Sequence, residues 1–448
     1  MSENTVKTDL REAAAKRRLL SRLLDDEAFE AASASHRGDF PRVSRLPDFA
    51  DDPEQRKRRL REHYPVFRRY AYFNYGAQGP LHQNVIDSVQ KTFLELQYLG
   101  ASSSEAQARS LLESQLLRRS LAKFLGIKSE NLVLTENATT GCNIVLWGLN
   151  WQSGDHLLVS DGENPSLLMA IEALKRRYAL EVEVLPVAQS SDAEFCERLA
   201  AAIRPTTRLL VFSHVFWNTG RRLPLDSIMR LRAEHRFVSQ FRVLIDGAQA
   251  VGMLPLDLSA SGVDFYAFGG QKWLSGPEGT GGLYINQTVF DDLRPTFTGW
   301  RAIAAAGDDD QLTMFENSRR YEVASTSPAL HAGLRTALSC HADFADAERR
   351  FEHLLKMSGV LWNGLMKLKE AGFPVHCLAP EFPQSGLVCF FIEEPDSLKL
   401  VRFLHAQKIL TKFIPNPGCL RACVNYLTTE DEIEELLLGI KLFLKSDG

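Results

Sequence analysis

The sequence has no run approaching the roughly 18 consecutive apolar residues that a membrane-spanning helix needs. Its amino terminus, "MSENTVKTDLREAAAKRR", lacks the apolar stretch of a secretory leader. There is no basic excess: 52 Lys and Arg stand against 56 Asp and Glu, a formal net charge of −4. Nucleic acid is therefore not expected as the main partner, because phosphate-backbone binding draws on surplus positive charge. The cysteines number seven, an odd count, and none forms a CxxC pair. That pattern speaks against a disulfide framework and against a zinc site, so no metal centre is expected. A reducing cytoplasm is the natural compartment for such a chain. Internal repeats and low-complexity linkers are also missing.

The 448 residues, 45% hydrophobic and 24% charged, suffice for two or three domains with a large core. Residues 1–60 form a first segment. Its "LREAAAKRRLLSRLLDDEAFEAA" has helical composition with a leucine stripe. The following "DFADDPEQRKRRLREHYP" is so charged that it reads as solvated. The segment is expected to be an extension packed on the body or on a second subunit. From about residue 66, short β-rich runs alternate with longer helical stretches. "NLVLTEN", "DHLLVSD", "EVEVLPV", "TRLLVFSHV" and "FRVLIDGAQ" read as strands, and most are near-continuous apolar runs. Such runs between helices predict a mostly parallel sheet covered on both faces. "ATTGCNIVLWGLNW" predicts a helix with Thr139 or Thr140 as its N-cap, and Pro165 starts another. Beyond about residue 330, a long helical stretch leads into an α+β end domain.

Four features fall at predicted strand ends or turns, where open α/β sheets keep their sites. "NATTGCN" (137–143) joins a strand to a helix, so its N–H groups can cradle a phosphate or serve a plain cap. Asp246 ends an apolar strand, and a buried carboxylate there needs a cationic or hydrogen-bonding partner. Gln249 follows three residues later and can donate a hydrogen bond. Lys272 sits alone in the glycine-rich, aromatic "DFYAFGGQKWLSGPEGTGGLYI"; desolvation would make its amine a nucleophile. Arg421 opens a short strand in "CLRACVNYLTTEDEI", where a guanidinium can clamp a carboxylate or form an ordinary salt bridge. Taken together these are the parts a pyridoxal phosphate enzyme requires.

From about residue 66 to 448 the chain resembles the class V aminotransferase family, of the pyridoxal phosphate fold type I. The likeness is carried by "YFNYGAQGPL", "ATTGCNIVLWGLNW", "SHVFWNTGRRLPL", "LIDGAQAVGMLPLD", "DFYAFGGQKW", "GPEGTGGLYI", "GWR" and "RACVNYLTTEDEI". These segments are similar to those of L-cysteine/cystine C–S lyases and of the cysteine S-conjugate enzymes of lincosamide antibiotic biosynthesis. The resemblance implies a large α/β domain (61–330) with a mostly parallel seven-stranded sheet, and a smaller α+β C-terminal domain (331–448). It implies that Lys272 joins the pyridoxal 5'-phosphate aldehyde and moves the Cα proton. Asp246 would pair with the pyridine nitrogen, and Gln249 would touch the ring's phenolic oxygen. Ala138, Thr139 and Thr140 would bind the phosphate, and Arg421 the substrate α-carboxylate. His214, Trp217 and Asn218 would line the site, with a packing role equally open for Trp217. Ser325 and Thr326, in "YEVASTSP", would reach the phosphate of a neighbouring subunit, which implies a homodimer with shared sites.

Three positions depart from the family pattern. Asn164 stands where a histidine usually stacks on the cofactor. Gly269 and Gln271 replace a Ser or Thr and a His near the lysine. The substrate implied is an amino acid, a cysteine S-conjugate, cleaved by β-elimination to thiol, pyruvate and ammonia. Decarboxylating oxidative deamination of such a conjugate is the alternative, with transamination or epimerisation behind it. A persulfide-forming desulfurase is disfavoured, because "LTKFIPNPG" (410–418) holds no cysteine to act as nucleophile.

Overall fold

The computed structural model describes residues 53–306, 312–379, 382–393 and 396–446. The helical reading of residues 10–32 lies outside the described residues. Fifteen strands are named here: β1 (Ala71–Tyr72), β2 (Leu132–Thr135), β3 (His156–Ser160), β4 (Glu181–Leu185), β5 (Thr207–Ser213), β6 (Arg242–Asp246), β7 (Phe265–Gly269), β8 (Gly281–Ile285), β9 (Ile303–Ala306), β10 (Leu312–Met314), β11 (Val375–Cys377), β12 (Leu387–Ile392), β13 (Ile409–Leu410), β14 (Lys412–Ile414) and β15 (Cys419–Cys423).

A seven-stranded sheet runs in the order β2-β8-β7-β6-β5-β3-β4. Only β8 is antiparallel to its neighbours. Side chains on successive residues of a strand point to opposite faces, so a strand covered on both sides must be apolar throughout. "LVL" of β2, "VLI" of β6 and "LLVF" of β5 satisfy this, and a separate apolar cluster lies against each face of the sheet. The short loops between strands and helices carry their own stop and start signals. Asn164 caps the helix Pro165–Tyr178, whose first residue is proline, and Ser191 and Glu194 form a reciprocal capping box on the next helix.

A second, antiparallel sheet has the order β11-β12-β15-β14. Helices Ala347–Glu370, Ser397–Ala406 and Glu430–Ser446 cover one of its faces, forming a third core around Phe390, Leu420 and Ile440. The other face carries Cys389 directly opposite Arg421, with Cys419 and Cys423 two residues to either side. The predicted long helix is thus two helices, Pro328–Phe344 and Ala347–Glu370.

The charged run before residue 65 is solvated on one face only: Arg58, Arg59 and Glu62 are exposed while the opposite face is buried. It forms the helix Pro53–Glu62, in which Lys57 and Leu60 are 1% and 3% exposed. Lys57 Nζ donates to the Thr428 carbonyl at 3.3 Å. Arg61 donates to both carboxylate oxygens of Glu432, at 2.9 and 2.8 Å, and to the Leu427 carbonyl at 2.6 Å. Charge here is matched by partners far along the chain, which composition alone does not reveal. β1 then pairs in parallel with β13, so the start of the described chain is fastened to its last third.

Candidate active site

The carboxyl ends of β3, β5, β6 and β7 converge on a cavity of about 210 Å³. Its wall includes Asn137, Ala138, Thr139, Asn164, Ser166, Ser213, Val215, Trp217, Asp246, Ala248, Gln249, Gly269, Gln271 and Lys272. One end is the start of the helix Ala138–Gly148. Its cap is Asn137, not Thr139 or Thr140: the extended backbone of Asn137 (φ −171°, ψ 175°) lets its Oδ1 accept the Thr140 N–H at 2.8 Å. The Thr140 hydroxyl also turns to Asn137, at 3.2 Å, and Thr140 stands outside the cavity wall. Ala138 and Thr139 remain at the rim, at the positive end of the helix dipole, where an anion is favoured.

Asp246 and Lys272 share this dry space. Burial pushes the Asp246 carboxyl up, against the Lys272 charge and the Ala248 N–H, which donates to it at 2.8 Å. Burial pushes the Lys272 amine down; Asp246 opposes this and Arg421 adds to it. Both shifts have one cause, loss of hydration by the charged form. A cationic ring nitrogen beside Asp246 would restore the carboxylate, and a neutral Lys272 amine is the form that attacks an aldehyde.

Gln249 lines the cavity with its amide held at both ends. Its Nε2 donates to the Gly76 carbonyl at 2.8 Å, and its Oε1 accepts from Trp273 Nε1 at 2.8 Å. One N–H is left to turn toward the cavity. Gly76 is itself fixed by close approach: a Cβ there would lie 3.0 Å from both Arg421 Cζ and Cys423 Sγ. Arg421, at the middle of β15 rather than its start, is 2% exposed. Its Nη1 donates to the Trp217 carbonyl at 2.8 Å, while its Nε is buried without a partner among the described residues. Its guanidinium approaches Gly76, and it is not among the residues that line the cavity.

The departures at 269 and 271 form a pair. A Cβ on Gly269 would lie 2.5 Å from the Gln271 Oε1, so the absent side chain makes the room that the Gln271 amide occupies. That Oε1 is buried with no partner. An unsatisfied amide beside a helix start is a polar cradle that suits the phosphate of pyridoxal phosphate, with the amide turned to offer its N–H groups. Asn164 Oδ1 accepts from the Ser166 N–H at 2.9 Å, and the residue faces the cavity without an aromatic surface.

Other expected residues are distributed differently. Ser213 and Val215 face the cavity, so His214 between them points away. Its Nδ1 lies 2.8 Å from the Tyr266 hydroxyl, and burial pushes the imidazole down to about 3. Trp217 is in the wall, its Nε1 donating to the Glu163 carbonyl at 3.3 Å. Asn218 faces a neighbouring chamber. Ser325 is exposed, and Thr326 is half-buried with its hydroxyl 3.3 Å from Arg301 Nη1; neither reaches this cavity within one chain.

Sequence reasoning passed over Glu163. It is 3% exposed and accepts from Ser160 Oγ at 2.5 Å, Ser213 N at 2.8 Å and Ser213 Oγ at 2.6 Å. Burial raises its carboxyl to about 7 despite these donors, and the Asp246 charge adds to the rise. Its place three residues past the end of β3 was the available signal.

The sequence profile of class V aminotransferases matches residues 71–436. The chain belongs to the class V aminotransferase family. It is a pyridoxal phosphate-dependent enzyme of that family, lyase-type. Two solved structures of the cystine C–S lyase C-DES are 38% identical to it, with a TM-score of 0.81. They cover 85% and 84% of this chain and 98% of their own; one holds glycine covalently linked to the PLP cofactor, the other the reaction product cysteine persulfide. A cysteine desulfurase of Shigella flexneri is 26% identical over 412 residues, 86% of this chain and 97% of the relative. Isopenicillin N epimerase of Streptomyces clavuligerus is 36% identical over 185 residues; that match spans 41% of this chain and 46% of the epimerase.

Proposed function

We propose that this enzyme cleaves the C–S bond of a cysteine S-conjugate by β-elimination, releasing thiol, pyruvate and ammonia. The observation that carries the reading is the buried Lys272–Asp246 pair facing a helix start, in a cavity whose wall, among the described residues, holds no cysteine. Lys272 Nζ, Asp246, Gln249, Ala138, Thr139 and Gln271 would hold pyridoxal phosphate, with Asn164 in the same wall. Bound there, the cofactor supplies an electron-withdrawing ring for the electrons left on Cα. Arg421 takes the α-carboxylate, and its partner-free Nε supports that role. Lys272 Nζ, whose burial favours the neutral amine, removes the Cα proton. The Cβ–S bond then breaks with its electron pair going to sulfur, and the thiolate takes a proton. With one water consumed, R–S–CH₂–CH(NH₃⁺)–COO⁻ becomes RSH, pyruvate and ammonium.

Among the described residues the cavity wall offers no cysteine nucleophile for persulfide formation on the enzyme, and Cys419 and Cys423 are buried on β15, either side of Arg421. We further propose that 61–330 and 331–448 act as large and small domains around the site. A second copy would bring Ser325 and Thr326 to the phosphate, giving a homodimer. Seven free cysteines among the described residues suit a reducing cytoplasm.

The test is incubation of the holoenzyme with S-methyl-L-cysteine. Pyruvate and methanethiol in equal amounts without oxygen uptake support the reading. Carbon dioxide with oxygen uptake would establish the decarboxylating alternative instead. The D-isomer alone would establish epimerisation, and pyridoxamine phosphate transamination.

A further inference from the structure

Glu163 does not line the cofactor cavity, yet its carboxyl is hydrogen-bonded to a residue that does. Ser213 ends β5 and Asp246 ends β6. The two are register partners on parallel strands, so their side chains stand on one face of the sheet, and both belong to the cavity wall. The Ser213 hydroxyl donates to Glu163 Oε2 at 2.6 Å, and the Ser213 N–H donates to Oε1 at 2.8 Å. Ser160 Oγ accepts from the Gly162 N–H at 3.2 Å and donates to Oε1 at 2.5 Å. Oε1 thus has two donors, one of them a backbone N–H that can only donate. Among the described residues, Oε2 has the Ser213 hydroxyl alone. A proton on this carboxyl therefore sits on Oε2 and meets Ser213 Oγ.

The Ser213 hydroxyl carries a single proton, so its direction follows from the state of Glu163. Against a carboxylate it donates inward and shows the cavity only lone pairs. Against a carboxylic acid it accepts from Oε2, and its own O–H turns outward, beside Asp246. A proton from the cavity enters by the same route. A new O–H bond forms at Ser213 Oγ, the old one breaks, and its proton forms the O–H bond at Oε2. Two titratable groups on other elements face Glu163: the Asp246 carboxyl on β6 and the Cys142 thiol on the helix Ala138–Gly148. Asp161, on the same turn as Glu163, is directed elsewhere and accepts from the Val187 and Ala188 N–H groups, both at 2.8 Å.

We propose that Glu163 and Ser213 form a proton switch in the cofactor cavity, in which Glu163 is a positioning residue whose protonation decides whether Ser213 presents a donor or an acceptor beside Asp246. The switch rests on pyridoxal phosphate occupying this cavity, and it holds for whichever reaction follows. Burial and then the Asp246 charge keep the proton on Glu163. A cationic ring nitrogen at Asp246 would cancel part of that repulsion. Loading the cofactor therefore favours the carboxylate and an acceptor at Ser213; emptying the cavity favours the acid and a donor.

The test titrates the absorbance of the bound cofactor between pH ~5 and ~8, the window in which this carboxyl changes charge. The wild type is expected to show an inflection, with its midpoint at or below the apoprotein value of about 7. Glu163→Gln puts a permanent donor against Ser213 Oγ, and Ser213→Ala cuts the link; each should abolish the inflection. Its persistence in either variant, or its absence from the wild type, overturns the proposal. A purely structural Glu163 would weaken the fold in the variants and leave the titration in place. The apoprotein's denaturation midpoint over the same pH range is the second readout. Ser213→Ala removes a donor to the carboxylate, so the Glu163 inflection should move to higher pH there and be missing in Glu163→Gln. If the protein takes up no pyridoxal phosphate, the cofactor placement fails and the apoprotein decides alone. An inflection moved upward by Ser213→Ala then supports the switch, and one left in place removes it.

Discussion

At residue scale the site is governed by groups whose hydration is stripped away. Glu163 makes this measurable. Its carboxyl rises from 4.5 to about 7, so the folded protein holds the proton more tightly than the unfolded chain. The stability it supports is full below pH ~4.5 and declines as pH rises through ~7, by about 3 kcal/mol at most. Glu163→Gln should flatten the pH dependence of the apoprotein's denaturation midpoint across that window. Parallel curves for wild type and variant would contradict the assignment. Gly76→Ala puts a Cβ 3.0 Å from Arg421 Cζ, so the guanidinium must shift. We expect KM for the amino acid to rise about tenfold with kcat changed less, because a carboxylate clamp acts in both ground and transition states. An unaltered KM would place the carboxylate elsewhere. Gly269→Ala meets the Gln271 amide at 2.5 Å. Displacing that amide should speed loss of cofactor on dialysis, followed by the absorbance of the bound form.

At element scale the helix Pro53–Glu62 is the least anticipated part. Read by composition it is a run of charge; in the fold it is a strap. Its Arg61 fastens the Leu427 carbonyl and Glu432, just beyond β15 and Arg421. Arg61 and Glu432 side chains are only 15% and 10% exposed, so this pair is shielded from most of the solvent. Arg61→Ala should destabilise the protein by about 1–3 kcal/mol, a range set by leaving Glu432 and a carbonyl unsatisfied. A melting temperature within a degree of wild type would show that the strap adds nothing. The strands β2, β3, β5 and β6 were legible because a strand buried on both faces must be largely apolar; β4, an edge strand with Glu181 and Glu183, was read from its alternation, while β7 and β8 were not read as strands. The cap at Asn137 was not, since Asn, Thr139 and Thr140 all qualify locally and only the Asn137 backbone is extended.

At the scale of the whole molecule, one chain leaves Ser325 and Thr326 away from the cavity. The segment before them is firmly held. Glu322 accepts from Arg118 Nη2 at 2.6 Å and Arg301 Nη2 at 3.3 Å. Burial would raise its pKa, but the two guanidinium groups hold it down at about 2. A segment anchored so tightly within its own chain cannot swing inward, which fits delivery to a neighbouring copy. Mixing Lys272→Ala chains with chains carrying Ser325→Trp and Thr326→Trp tests this. Subunit exchange between two inactive homodimers should restore about a quarter of wild-type activity, since half the pairs are mixed and each mixed pair has one intact site. No recovery, with exchange verified by a mass tag, would mean that each chain completes its own site.

The sequence by itself determined five of the seven strands of the large sheet and marked Lys272 and Asp246 as candidates near strand ends, because strand patterns and strand-end positions are local properties. The tertiary structure alone decided which way His214 points and that Gly269 and Gln271 compensate each other. It alone turned a charged run into a strap, and showed Glu163 to be dry. Each of these depends on what lies opposite in space, and burial and hydrogen-bond partners come from residues up to several hundred positions away.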